Sequence, residues 1–579
     1  MTHNALFTQR KKAGKGAYVE RNGGREQSGG MMLVSLLLLL SVVLAACSGS
    51  NSTTNPKRPA HPNSLTMLAN QQDAYTQNFN PYSPGVISGT QGLIYETLLN
   101  INRLDGTVKP WLASSYELAS DAQSITFHLR QGVNWSDGQP FTSDDVVFTL
   151  NLITKNASVD LTGISSVVKN VSAPDASTVI VTLNKPFNPI VWILGGQVFM
   201  LPKHTWSGVK GDPSQYADPS PVGTGPYIVK SFTPQLVDLV KNPKFWQPGK
   251  EQVDEVKIPT YSSNDSAQLA LQKGLIDWTN LFVPNLDKTY VALDRQHNHY
   301  WFPSSDDVML YLNLTKAPFN DLQVRKAVSF ALDRETISKL GEAGYEPPAN
   351  PTGLVGEAIK TYIDPQFANL QFTKDPAQAD QTLQNDGWTK GADGFYAKNG
   401  KQLTFSIIVV SGYTDYVADC QVMVKDLQAA GIHATVNAMS TDAFTNALGN
   451  GQYDAGILWT NPGPTPYYIY DGLLRSTNSA PIGQSAPSNY ERWMDPATDK
   501  LLDQYAGSTD PAVQRQALDG LQQIMVNQLP SIPLTAEPYW YEYSTAKFVG
   551  WPDEQHPYAA PGTAEYPDIE IVLLNLQPV

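Results

Sequence analysis

Very few residues in this sequence are spaced for bond-making chemistry. No HExxH, G-x-S-x-G or Walker A pattern occurs, so zinc-hydrolase, serine-nucleophile and P-loop arrangements are missing. Gly223-Thr224-Gly225 lacks a third glycine and runs into a strand-like stretch, which argues against a dinucleotide loop. The eight histidines are scattered, and His297 and His299 are two apart, a spacing that does not converge on a metal from a helix. The acid pairs Asp144-Asp145 and Asp306-Asp307 read as a helix start and a turn, where solvated caps are expected. Two cysteines can build neither a disulfide framework nor a four-thiolate zinc site. The chemistry that remains is noncovalent. One stretch holds Trp459, Asn461, Tyr467, Tyr468 and Tyr470, and another holds Tyr413 and Tyr416. Aromatic faces with a few amides suit a pocket in which polar groups orient a stacked ligand.

These residues need rigid elements behind them. The block 403–459 reads as a β-α-β unit: LTFSIIVV is a buried strand, and Tyr416, Cys420, Met423, Val424 and Leu427 stripe a helix that stops at Gly431. IHATVNAM returns as a strand and YDAGILWT supplies another, so Tyr413 and Tyr416 fall at a strand-to-helix loop, where open α/β sheets commonly bind ligands. Trp459 ends its strand, where an aromatic serves a core as readily as a ligand, and Cys420 reads as a core thiol. Asp321 is a natural N-cap for a helix whose Val324, Ala327, Val328, Ala331 and Leu332 share one face. Thr142 with Asp145 starts a helix as a capping box, and Asp510-Pro511 starts another with Ala517, Leu521, Ile524 and Met525 inward. Residues 64–70 and 124–129 read as strands, 89–99 as a helix, and 77–85 as a turn-rich loop carrying Asn78, Phe79 and Asn80. The fold class is α/β with mixed sheets.

Composition narrows the function further. The 579 residues exceed one ordinary domain several-fold, and 12 Trp, 27 Tyr and 19 Phe exclude a disordered chain. A net charge of −14 argues against nucleic acid as the main partner. Six of the 40 basic residues lie in the first 30 positions, ahead of an uncharged run, 31–46, that ends at Cys47. Sixteen residues span about 24 Å as a helix, short of a bilayer core of about 30 Å. A basic head, a short apolar run and small residues describe a signal peptide. Leu44-Ala45-Ala46-Cys47 resembles a bacterial lipobox, which implies lipid attachment at Cys47 and a polar tether over 47–63.

Three ordered strings carry a wider resemblance. ITFHLRQGVNWSDGQPFTSDDVVFTL, PVGTGPYIV with NPKFW, and FNDLQVRKAVSFALDRETI are similar to the extracytoplasmic solute-binding proteins of the dipeptide/oligopeptide class, the receptors of ABC importers. The resemblance runs from about residue 64 to the C-terminus. It implies a two-lobe periplasmic-binding-protein type II fold with an extra sub-domain in the first lobe and a hinge between lobes. Carried onto this chain, lobe I is 64–310 with a sub-domain at about 95–195, lobe II is 311–535, and 536–579 returns to lobe I. The hinge crossings fall near 312–314 and 532–534. Asn78, Phe79, Asn80 and Gln91 would then close the cleft opposite Tyr413, Tyr416, Trp459, Asn461, Tyr467 and Tyr468, with Trp540 near the second crossing.

Peptide receptors of this class usually place an acid just after the strand matching YDAGILWT, to pair with the peptide α-ammonium. Here no acid occurs until Asp471. The strings YSSNDSAQLALQKGLIDWTNLFVPNLDKTY, HNHYWFP and FVGWPDEQHPYA resemble a branch that includes cellobiose- and β-glucan-oligosaccharide-binding proteins. The expectation is therefore a lipid-anchored, monomeric receptor on the outer face of the membrane. It captures a neutral oligosaccharide and hands it to an ABC permease, without a cofactor, metal or catalysis. The alternative is an oligopeptide receptor. A secreted glycoside hydrolase would need two opposed carboxylates, and a sensor or chaperone could use the same lobes.

Overall fold

The computed structural model describes residues 63–460 and 463–579. Cys47, its signal run and Asn461 lie outside the described residues. Three sheets organise the rest. The largest has seven strands in the order Asn298–Tyr300, Glu542–Ser544, Trp278–Thr279, Ser64–Leu68, Glu255–Pro259, Leu236–Lys241, Tyr227–Thr233. Ser64–Leu68 runs parallel to both its neighbours, and the remaining pairs are antiparallel. The second sheet has five strands in the order His433–Met439, Thr404–Val410, Ala455–Trp459, Ser304–Leu312, Ser531–Pro538. A four-stranded antiparallel sheet, Ala113–Leu118, Ser124–Leu129, Thr178–Leu183 and Val168–Asp175, packs beside the helix Ser143–Lys155. This is a mixed α/β, two-lobe architecture.

Local sequence explains most elements. Asp321 accepts from the Gln323 amide at 2.8 Å and starts Leu322–Ala331, whose Val324, Ala327, Val328 and Ala331 are fully buried. The Thr142 amide donates to Asp145 at 3.0 Å, closing the expected box. Asp510 accepts from the Ala512 amide at 2.9 Å and opens Pro511–Gln528. One expectation fails. Residues 89–99 form turns that run into the strand Leu99–Ile101, not a helix. Gly89 and Gly92 adopt φ of +79° and +78°, and a Cβ at Gly89 would lie 2.8 Å from the Ala69 Cβ. Two left-handed glycines three residues apart break a helix that hydrophobic spacing alone would allow.

The crossings between the two large sheets also differ from expectation. Ser304–Leu312 belongs wholly to the five-stranded sheet and pairs with Ser531–Pro538 along its length. The chain crosses at 301–303 and 539–541, where the Tyr539 amide donates to Pro303 O at 2.8 Å and the Trp301 amide to Tyr541 O at 3.1 Å. Residues 312 and 532–534 thus lie within strands of the five-stranded sheet. Elsewhere the lobes touch: the Asn188 amide donates to Ala506 O at 2.8 Å, Lys185 pairs with Asp503 at 3.0 Å, and Asn264 Nδ2 donates to Asp415 at 3.4 Å.

Candidate ligand-binding site

Parallel pairing of Thr404–Val410 with Ala455–Trp459 puts both C-terminal strand ends at one edge, where the helix Thr414–Ala429 begins. Three rings meet there. Tyr413 lies 6.1 Å from Tyr416 and 6.0 Å from Trp459, and Tyr416 lies 6.3 Å from Trp459. Tyr416 is buried, whereas Tyr413 and Trp459 keep accessible faces. The wall is therefore a packed triad with two half-buried rings, whose remaining faces can stack on a solute.

Beside the wall the crossing strands carry acids. Asp306 and Glu537 are directly opposed in register, Asp307 follows, and the Tyr416 hydroxyl faces Glu537. Asp307 is fully buried with neither carboxyl oxygen hydrogen-bonded, and Glu537 Oε2 has no hydrogen-bond partner either. Burial pushes the Asp306 carboxyl up to about 8 although Arg103 of the first lobe opposes the shift. Burial and the neighbouring acids raise Asp307 and Glu537 well above the carboxylate range. Arg103 is already committed to Glu565 at 2.9 Å. An added cation here would meet oxygens that lack partners. Asp306-Asp307 is thus no solvated turn: the pair lies in a buried strand, contrary to the sequence reading.

A family model described as bacterial extracellular solute-binding proteins, family 5 Middle, matches residues 107–481. The chain belongs to that family. Among curated relatives, the glutathione-binding protein GsiB of Escherichia coli K12 is 26% identical over 466 residues, covering 76% of this chain and 83% of the relative. Protein XP55 of Streptomyces lividans is 26% identical over 436 residues, covering 73% and 75%. A Thermotoga maritima periplasmic oligopeptide-binding protein, solved with mannohexaose bound, superposes with a TM-score of 0.82 at 25% identity, covering 89% of this chain and 99% of that one. A dipeptide-binding protein of Pseudoalteromonas, solved with Met-Leu, shares the fold at TM-score 0.74, 21% identity and coverages of 89% and 100%.

Family 5 proteins are extracytoplasmic binding components of ABC importers, not enzymes. In this family 5 chain the other expected site residues fall in varied surroundings. Asn80 is fully buried, donates to Pro213 O at 2.9 Å and Tyr216 O at 2.8 Å, and accepts from the Tyr82 amide at 2.9 Å. Asn78 donates to Ser83 Oγ at 2.8 Å, Gln91 donates to Pro81 O at 3.4 Å, and buried Phe79 meets Phe232 edge-on at 6.3 Å. Tyr467 is buried, stacked on Tyr505 at 5.0 Å, and accepts from Arg475 at 3.2 Å. Half-buried Tyr468 reaches across to the first lobe, its hydroxyl 3.4 Å from Pro189 O and its ring 5.9 Å from Trp192. Trp540 packs edge-on against Phe302 at 4.9 Å and Phe282 at 5.4 Å, behind the crossing. Sequence reasoning missed Asp306, Glu537 and Arg103. The available signal was a pair of acids opening the apolar run VMLYL, and a single acid near the end of SIPLTAEP.

Proposed function

We propose that this family 5 receptor captures a short peptide or peptide-like solute with a free amino group between its lobes, and presents it to the permease while anchored through a lipid on Cys47. The carrying observation is the opposed pair Asp306 and Glu537 beside half-buried aromatic rings: buried Asp306 accepts only from the Ser305 and Thr460 hydroxyls, and Glu537 Oε2 has no hydrogen-bond partner. Two buried like charges are costly, and an ammonium between them removes that cost. The acid that the sequence lacks after Trp459 is supplied instead from the crossing strands. The relatives named for glutathione and for a dipeptide favour the same class. In this reading lobe I comprises about 64–303 and 539–579, lobe II about 304–538, and Tyr413, Tyr416 and Trp459 stack on the apolar part of the solute.

A neutral oligosaccharide is the second reading. It draws on the aromatic wall and on the mannohexaose held by the Thermotoga protein. Calorimetry separates the two with di- to pentapeptides, their N-acetylated forms, and cello-, laminari- and manno-oligosaccharides. The peptide reading expects free-amine peptides to bind and N-acetylation to weaken them tenfold or more, about 1.4 kcal/mol. Sugar binding with silent peptides overturns it.

A further inference from the structure

A second group of acids lies deeper than the solute wall. Glu342, Glu346 and Asp419 are fully buried and Asp415 nearly so. They come from two elements: the segment after the helix Arg334–Leu340, and the first turns of Thr414–Ala429. Neither oxygen of Glu342 nor of Asp419 has a conventional donor, yet the two carboxyls face each other at hydrogen-bonding range. Two carboxylates are acceptors only, so that contact becomes a bond when one of them carries a proton. Asp419 also lies tight against Gly341, where a Cβ would come within 1.7 Å of Oδ1. The backbone there accommodates the carboxyl only because residue 341 is glycine.

The group connects the moving parts. Thr535 of the second crossing strand donates to Glu346 at 2.7 Å, and the adjoining Pro347 O accepts from the Ala536 amide at 2.8 Å. At the other end, Asp415 accepts from Asn264 of the first lobe, and the Asn264 amide donates to Gly412 O at 3.4 Å. The helix so held begins at Tyr413 and Tyr416, the open wall. Titratable groups facing the cluster are Asp307 from the first crossing strand, Glu537 from the second, itself opposite Asp306, and the Tyr413, Tyr416 and Cys420 side chains from the helix. Arg103 acts at the far end, on Asp306.

We propose that Glu342, Glu346, Asp415 and Asp419 form a proton-held latch, closed where Glu342 meets Asp419, that seats the helix Thr414–Ala429 against the segment paired with the second crossing strand, so that the ligand-free receptor loosens and opens as protons leave. The latch is independent of which solute the cleft takes. Burial pushes Asp415 up to about 6 and Asp419 up to about 8, and burial with neighbouring acids raises Glu342 and Glu346 well above the usual range. Carboxyls raised on folding hold protons that the unfolded chain releases, so their stabilisation is complete below about pH 4 and is lost as pH rises through about 8.

The test uses the ligand-free protein as wild type, Asp419→Asn and Glu342→Gln. Unfolding free energy between pH 5 and 8 should fall with pH in the wild type, and each variant should lose about one proton of that slope. Comparing variants with the wild type is needed because Glu96 and Glu570 form another buried acid pair in the first lobe. Small-angle scattering should show a larger radius of gyration at pH 9 than at pH 6 for the wild type and a smaller change for Glu342→Gln, whose amide keeps a hydrogen-bond donor without a charge. Equal pH slopes in all three proteins overturn the latch, as does a wild-type radius that does not change with pH.

Discussion

The loop carrying Asn78, Phe79 and Asn80 and the wall of Tyr413, Tyr416 and Trp459 hold the same kinds of side chain, and both were expected to meet the solute. Their surroundings differ. In the loop, Asn80 spends its amide on Pro213, Tyr216 and Tyr82, and Phe79 is 1% exposed. On the wall, two rings remain half-buried, and beside them Asp307 and Glu537 Oε2 lack hydrogen-bond partners. A polar or aromatic residue whose capacity is used internally fixes a shape, whereas one with spare surface and unmet partners can hold a ligand.

That contrast can be broken by substitution. The largest effect should be on stability: Phe79→Ala is expected to cost about 3–5 kcal/mol in denaturant unfolding, with solute affinity of the folded protein unchanged. Asn80→Ala should follow at about 2 kcal/mol, because two buried carbonyls and one amide lose their partner. Altered affinity in either variant would return the loop to the site. Trp459→Ala should do the reverse, weakening the solute about tenfold by calorimetry, near 1.4 kcal/mol, with less change in the unfolding midpoint than Phe79→Ala produces. Gln91→Ala should move stability and affinity by less than about 0.5 kcal/mol each, since its single long contact is to Pro81 O.

Much of the scaffold was legible because it is local. The helix after Asp321, the box at Thr142 and the strand-helix-strand block are written in caps and periodicity within about 40 residues. Residues 89–99 misled because apolar spacing says nothing about the sign of φ at Gly89 and Gly92. The site was legible by half. Tyr413, Tyr416 and Trp459 follow from strand ends, but Asp306 meets Glu537 through a register between segments more than 200 residues apart. No local pattern encodes that pairing, and an acid pair beside two serines looks like a turn until its strand partner is known.

The position of Glu542–Ser544 between Asn298–Tyr300 and Trp278–Thr279 bears on how the chain assembles. Every strand of the five-stranded sheet lies within one continuous stretch, 304–538, whereas the seven-stranded sheet takes strands from both sides of that stretch. Closing that sheet brings together segments separated by well over 200 residues, a slow step in chain entropy. Pairing Ser304–Leu312 with Ser531–Pro538 sets the flanking strands Asn298–Tyr300 and Glu542–Ser544 side by side, so that the sheet interrupted in sequence is templated by the one inserted into it.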